Sequence, residues 1–358
     1  MVTRMRKGAL ATAPIALALA LAACSGGDAT PGASGTGDTG SGDAHVIGFS
    51  NSFNGNTYRQ AMEAYAQEAA DALTAAGEPT ELVFAEANQD NNKQIQQIQS
   101  FIIQGVDAII IDPGSATALT GVVKQATDAG IPVITVNDGP IDASADNLYQ
   151  ISFDATAQMK TLTDYIADRM GGKGTMIELR GTEGDAFDAK AHEGVVESLK
   201  SYPDITVAAE IYTDWTGSKA QSELAAVLPN LLQQYGSIDG VVTQGGDSYA
   251  AVQAFQQAGA DLPVIGGDNR GFFLKWWANE APEGYDTLSV SANPWDGATA
   301  VYVTADILAG GYDIPNEMIH PIATITQDDV AQYADVADED MATPTYDRDW
   351  VRENLYHQ

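Results

Sequence analysis

Asn54, Asn56, Tyr58 and Arg59 follow one short apolar run of the chain, and Asn137 and Asp138 follow another. Trp215, Asp247, the triplet Asp268, Asn269 and Arg270, and finally Asn293 and Trp295 come just after later runs of the same kind. Amides and carboxylates exchange hydrogen bonds with vicinal hydroxyls, a guanidinium donates in a planar fork, and an aromatic face covers C–H surface. Together these groups suit a neutral, polyhydroxylated small molecule. The same residue types also build ordinary turns, because Asn and Asp tolerate left-handed backbone and form Asx turns.

Catalytic patterns are absent from the sequence. The four histidines, His45, His192, His320 and His357, form no metal-binding spacing with one another or with the single cysteine. No nucleophile elbow occurs, and Gly245-Gly246 lacks the Lys-Ser/Thr that completes a phosphate-cradling loop. Asp185 with Asp188, or Asp138 with Asp268, are the pairs that a glycosidase would require, but nothing in the sequence raises one member's pKa. Binding is therefore expected rather than an enzyme activity, with no cofactor and no metal.

The elements that must position these residues alternate in type. Strands are expected over 45–50, 80–85, 108–112, 133–136 and 148–153, separated by helices over 58–76, 91–104 and 116–129. The alternation restarts with helices over 155–170, 190–201, 219–234 and 248–258 around strands over 174–179, 205–212, 240–243 and 264–267. Runs this apolar, separated by helices, imply parallel sheets covered on both faces. The fold class is α/β, as two doubly wound parallel-sheet lobes. Ligands of such sheets sit outside the carboxyl ends of the strands, where the polar residues above fall.

The chain's beginning reads as an address. Arg4, Arg6 and Lys7 precede an apolar run over 9–23, shorter than the roughly 20 residues that span a bilayer. Leu21-Ala22-Ala23-Cys24 resembles the lipobox of bacterial lipoproteins, so Cys24 is expected to carry lipid and to hold the protein, extracytoplasmically, at the cell membrane. Residues 1–23 then form the signal peptide, and the Gly/Ser/Thr/Asp-rich stretch 24–44 a flexible tether. A formal net charge of −32 argues against nucleic acid and anionic lipid headgroups as partners.

The segments GFSNSFNGNTYRQAM (48–62), QGVDAIIIDPGSATAL (104–119), AGIPVITVND (129–138), MIELRGTEG (176–184) and VIGGDNRGF (264–272) resemble, in order and spacing, the type I sugar-binding proteins of bacterial ABC importers. The ribose, galactose and galactofuranose binders are the nearest named groups, and the likeness runs from about 45 to about 325. It implies a monomer of two lobes joined by three crossings, near Phe153-Asp154, Ser291-Ala292 and Pro321-Ile322. The first lobe would comprise 45–153 plus 292–321, and the second 154–291 plus 322–358, including the tail. It also implies delivery of a captured sugar or polyol to ABC permease subunits. A signalling receptor, or a binder of a furanosyl autoinducer or nucleoside, are the alternatives.

By that resemblance Tyr58 is the ring-stacking aromatic, followed by Arg59 as in galactofuranose-type binders, with Trp215 and Asp268 as second-lobe ligands. Three departures stand out. Asn137-Asp138 replaces an Asp-Arg pair, Lys190 is the nearest cation to an expected arginine, and Gln244-Gly245-Gly246-Asp247 replaces an Asn-Asp. Beyond Gln327 an acidic and then aromatic tail is expected to pack along the second lobe.

Overall fold

The computed structural model describes residues 44–137 and 141–357, all within the unit Gly42–Gln358. The signal segment, Cys24, the tether up to 43, and Asp138 lie outside the described residues. In chain order the elements are β1 (His45–Asn51), α1 (Thr57–Ala75), β2 (Thr80–Glu86), α2 (Asn91–Gln104), β3 (Ala108–Asp112), α3 (Thr120–Asp128), β4 (Val133–Thr135) and β5 (Leu148–Ser152). There follow α4 (Ala155–Arg169), β6 (Lys173–Arg180), α5 (Ala186–Leu199), β7 (Asp204–Tyr212), α6 (Gly217–Tyr235), β8 (Gly240–Thr243), α7 (Ser248–Ala258), β9 (Val264–Ile265) and α8 (Gly271–Asn279). The chain closes with β10 (Ser289–Ser291), α9 (Asp296–Ala309), β11 (Glu317–Ile319), β12 (Ala323–Ile325) and α10 (Arg348–Leu355).

The first lobe holds a parallel sheet in the order β11-β5-β4-β3-β1-β2. Every residue of β3 (AIIID) is buried, and alternate side chains serve opposite faces. Ile110 joins Ile47, Phe49, Met62 and Val301 on the face covered by α1 and α9, whereas Ile109 and Ile111 join Ile98, Phe101 and Val123 beneath α2 and α3. In the second lobe β7-β6-β8-β9 are parallel. The antiparallel pair β10-β12 extends them through a parallel bridge between Gly267 and Ser289. Ile177 and Leu179 pack with Leu224 and Phe255 on one face, and Met176 packs with Leu162 and Val195 on the other. The two doubly wound α/β lobes expected from the alternation are present.

Two helix starts differ from the pattern reading by a full turn. α3 begins at Thr120 rather than 116, and α5 begins at Ala186 rather than 190. In α5 the cause is Asp185, whose carboxylate accepts from the backbone N–H of Phe187 at 2.8 Å and of Asp188 at 3.1 Å, so the helix nucleates a full turn early.

The tail requires a larger correction. Val330 and Ala342 pack into the second-lobe core, but Val351, Leu355 and Tyr356 pack into the first-lobe core. The chain therefore passes between lobes four times, not three, the fourth around Thr343 to Thr345. α10 is fastened by Asp306 of α9, a fully buried carboxylate. It accepts from Arg348 Nε at 3.0 Å, Arg352 Nη2 at 2.7 Å and Tyr356 Oη at 2.8 Å. Burial alone would raise the Asp306 carboxyl, but the bonds from Arg352 and Tyr356 and the charges of Arg348 and Arg352 outweigh it and hold the carboxyl below its usual range. A depressed carboxyl contributes stability that is present above its unfolded pKa and lost as pH falls through the folded value. Asp306→Asn is therefore expected to lower unfolding free energy by about 2 kcal/mol at neutral pH, with the difference shrinking in acid. Urea melts at pH 7 and below pH 4 check this.

Candidate functional site

At the carboxyl ends of the two sheets, residues of both lobes line one cleft. Asn56, Tyr58, Arg59 and Asn137 come from the first lobe and Trp215, Asp268 and Arg270 from the second. The cleft encloses about 660 Å³ of empty space, part of it open to solvent.

The first-lobe wall is set by the start of α1. Asn56 is its N-cap, the amide oxygen accepting from Arg59 N–H at 2.9 Å, which turns Tyr58 and Arg59 into the cleft. The Arg59 guanidinium forms an ion pair with Asp112, which is fully buried at the end of β3. Asp112 is also held by Ser52 Oγ, donating at 2.9 Å. The Asn137 amide, oriented with its oxygen towards Arg59, accepts from Nη1 at 3.0 Å. Arg59 is thereby charge-compensated from beneath, at the wall of the cleft. Tyr58 Oη donates to Asp296 Oδ2 at 3.4 Å.

The second-lobe wall depends on tight backbone. Asp214 and Trp215 both have left-handed backbone (φ 52° and 53°), and the Trp215 indole lies against Gly181, where a Cβ would stand 2.1 Å from the ring. Gly246 (φ 80°) approaches the Trp215 carbonyl so closely that a Cβ would come within 2.1 Å of its oxygen. Gly246→Ala is accordingly expected to displace Trp215 and weaken ligand capture at least about tenfold, since both the conformation and the space exclude a side chain. Calorimetry together with the shift of tryptophan emission on binding checks it.

Asp268, 3% exposed after β9, accepts from the backbone N–H of Arg270 at 3.2 Å, so carboxylate and guanidinium belong to one turn. The turn is shaped by Asn269 (φ 59°), whose side chain accepts from Ser289 Oγ at 2.6 Å and donates to the Ala323 carbonyl at 3.1 Å. Beneath lies Asp247, 1% exposed, with Thr213 Oγ1 donating to Oδ2 at 2.7 Å. Burial pushes the Asp247 carboxyl well up and Asp268 adds to this, against the lowering effect of Thr213 and Arg270, which favours its uncharged form.

Six residues singled out in the sequence are placed elsewhere. Asn54 donates to Glu63 Oε2 at 2.7 Å and braces α1. Lys190 is 64% exposed on α5 and pairs with Glu193. Asp247 and Asn269 support the cleft from below. Asn293 is fully buried and holds the Pro344 carbonyl at 3.2 Å. Trp295 packs against Tyr65 in the first-lobe core, its Nε1 donating to the Tyr346 carbonyl at 2.8 Å. None of the six lines the cleft, which corrects the expectation that they face it.

Three lining residues were missed: Gln158, Phe187 and Met341. Gln158 is buried on α4 and its Oε1 has no hydrogen-bond partner among the described residues; the same holds for Trp215 Nε1. An acceptor and a donor at the cleft wall are thus open to a polar ligand. Phe187 meets Trp215 edge-on at 6.2 Å. Asp185 and Asp188 are not a catalytic pair. Asp185 caps α5, and Asp188 is 2% exposed, receiving Arg180 Nη2 at 2.6 Å and Gly181 N–H at 3.0 Å.

Among the described residues, one group has metal-ligand spacing: Glu178, His192 and Glu210, their ligand atoms within 4.8 Å. It lies away from the cleft lining. His192 Nδ1 sits 3.0 Å from Glu178, and the Arg180 guanidinium reaches Glu210 at 3.0 Å, so the chain's own donors already face these carboxylates.

The periplasmic binding protein domain family matches residues 47–312. The chain is 33% identical over 268 residues to the xylitol-binding protein of Mycolicibacterium smegmatis, covering 74% of this chain and 72% of that one. The crystal structure of an ABC transporter solute binding protein from Thermobispora bispora superposes with a TM-score of 0.74 at 31% identity, covering 86% of this chain and 94% of the other. The binding component of the arabinose ABC transporter from Shewanella sp. ANA-3, bound to α- and β-L-arabinofuranose, superposes with a TM-score of 0.70 at 26% identity, covering 80% and 94%. With a family match over more than half its length, a relative of this identity and coverage, and two lobes facing one cleft, the chain belongs to the periplasmic binding protein family.

Proposed function

We propose that this protein captures a neutral sugar or polyol between its lobes and delivers it to an ABC permease. The carrying observation is the charge arrangement of the cleft. Arg59 is offset by Asp112, and Arg270 shares its turn with Asp268, so among the described residues the lining offers charged hydrogen-bonding groups with no excess of either sign. Aromatic faces stand on both sides, Tyr58 on one and Trp215 with Phe187 on the other. Such a lining favours hydroxyl groups on a compact carbon skeleton and disfavours a ligand that brings its own net charge. The names of the xylitol-binding relative and of the arabinofuranose-bound neighbour support this class.

Capture follows from the two-lobe arrangement. A ligand touching Tyr58 and Asn137 as well as Trp215, Asp268 and Arg270 makes all its contacts only when the lobes are closed, and so shifts the population towards closure. Transport is the reading rather than catalysis, because the relatives compared are binding proteins and Asp185 and Asp188 are engaged within the fold. The lipobox-like Leu21-Ala22-Ala23-Cys24 supports an extracytoplasmic lipoprotein held near its permease.

Native mass spectrometry of the protein purified from its own cells tests the ligand class. A retained neutral polyhydroxylated molecule is expected; a retained anion, amine or peptide would overturn the assignment. For the anchor, Cys24→Ala is expected to move the protein from the membrane to the soluble fraction and to abolish fatty-acid labelling. Continued labelling would refute the lipobox reading.

A further inference from the structure

The C-terminal tail crosses between lobes beside the cleft and is fastened at both ends. On the second lobe, Met341 forms an antiparallel bridge with Arg270, the Gly271 N–H donates to the Asp340 carbonyl at 2.9 Å, and the Ala342 N–H donates to the Asn269 carbonyl at 2.8 Å. These bonds attach the tail directly to the turn that presents Asp268 and Arg270. A Cβ at Gly271 would come within 2.0 Å of the Ala337 carbonyl oxygen, so the tail lies on that turn at full contact.

On the first lobe, the Pro344 carbonyl is held by Asn293 at 3.2 Å and the Tyr346 carbonyl by Trp295 at 2.8 Å. The Tyr346 ring meets His320 edge-on at 5.7 Å, and His320 in turn meets Phe153 edge-on at 5.7 Å. His320 and Phe153 adjoin the third and first crossings, so the tail packs on the hinge. Beyond it, Tyr346 stacks on Trp350 at 3.9 Å, and α10 is fixed to Asp306. Between the last second-lobe bond, at Ala342, and the first bond to the first lobe, at Pro344, runs only Thr343. Two residue steps from Ala342 to Pro344 reach at most about 7 Å when fully extended, and four steps to Tyr346 about 14 Å.

From this geometry we propose that the tail is a strap: it contributes Met341 to the ligand-facing wall and, by its short span between lobes, limits how far the cleft opens and so how fast ligand leaves. The proposal rests on the cleft being the ligand site. Met341 supplies an adaptable apolar surface beside Arg270, suited to the C–H side of a sugar or polyol. Opening moves the Asp268–Arg270 turn away from Trp295 and the hinge, and the strap joins those two places. Its length therefore sets the widest separation at which the lobes remain connected without breaking the Asn293, Trp295 or Asn269 bonds.

The test uses the full chain with Gly-Ser-Gly inserted between Thr343 and Pro344, which slackens the strap between its two anchorages and leaves Met341 and α10 in place. Small-angle scattering without ligand should show a larger radius of gyration than the parent. Stopped-flow release of whichever of xylitol, D-ribose, L-arabinose and myo-inositol binds should be about three- to tenfold faster, with association little changed. Met341→Ala should weaken affinity for the same probe and leave the ligand-free radius of gyration at the parent value. An insertion variant matching the parent in both radius and release rate would overturn the strap, and unchanged affinity in Met341→Ala would overturn the lining role. Should the insertion lower thermal stability, the double variant Asn293→Ala/Trp295→Phe, which removes the donors to the Pro344 and Tyr346 carbonyls, gives the same two readouts. If no probe binds, the failure falls on the sugar or polyol assignment, and the ligand-free radius alone still decides the strap.

Discussion

Asp268→Ala is expected to weaken ligand capture by about a hundredfold while leaving the melting temperature close to the parent's, since hydrogen bonds to a charged group contribute about 1.5–3 kcal/mol and more than one hydroxyl can share a carboxylate. The residue is 3% exposed, and the only hydrogen bond of its carboxylate among the described residues is accepted from Arg270 N–H in the same turn. On the proposed reading its second oxygen meets the ligand. Removing the carboxylate also leaves the Arg270 guanidinium without its neighbouring negative charge, so the neutral cleft becomes cationic. Asp268→Asn, which keeps size and accepting geometry, should lose less. Calorimetric titration of both variants separates the contributions: equal losses would mean that charge is irrelevant and only shape matters.

Arg59→Met should show the opposite pattern, a loss of about 3–5 kcal/mol in folding stability, because it strands a fully buried carboxylate. Asp112 sits at 0% exposure at the end of β3, and its compensation comes from Arg59, with Ser52 adding one neutral hydrogen bond. The double variant Arg59→Met/Asp112→Asn should recover much of the loss, since an amide is far less costly to bury than an unpaired charge. Denaturant unfolding of the two single variants and the double variant forms the cycle that measures this coupling. A fully stable Arg59→Met would show that the pair does not carry the first lobe's charge balance.

Much of the scaffold was legible because the sequence periodicities are unambiguous. The AIIID run of β3 has no polar alternation, and a strand buried on both faces is the arrangement that accepts it. The cleft residues Tyr58, Asn137, Trp215, Asp268 and Arg270 were legible for a related reason: they follow strands whose carboxyl ends converge. The side chains that misled are those whose engagement depends on distant chain. Trp295 was indistinguishable from a stacking aromatic until Tyr65 and the Tyr346 carbonyl were seen to enclose it. Lys190 had the right position in the chain, but the Asp185 cap starts α5 earlier and turns that residue to solvent, while bringing Phe187 to the cleft. Met341 lies 71 residues beyond Arg270 with no local pattern to mark it; only the pairing of the tail with the 268–270 turn carries it to the cleft wall.

The same pairing explains why the tail reading needed correction. Its acidic part, with Asp338 meeting Lys275 at 2.6 Å, suits the second lobe, whereas Arg348 and Arg352 are drawn to a buried carboxylate on the first. Charge composition alone does not distinguish these destinations.

The most direct test of a neutral polyhydroxylated ligand is one calorimetric series on the full chain: xylitol, D-ribose, L-arabinose and myo-inositol, each against a charged counterpart such as D-ribose 5-phosphate or D-arabinonate. The expected result is saturable binding of at least one neutral compound well below millimolar, with its charged counterpart bound at least about a hundredfold more weakly, in keeping with about 3 kcal/mol for an uncompensated charge in a closed cleft. Tighter binding of a charged counterpart, or no binding by any neutral member, would contradict it.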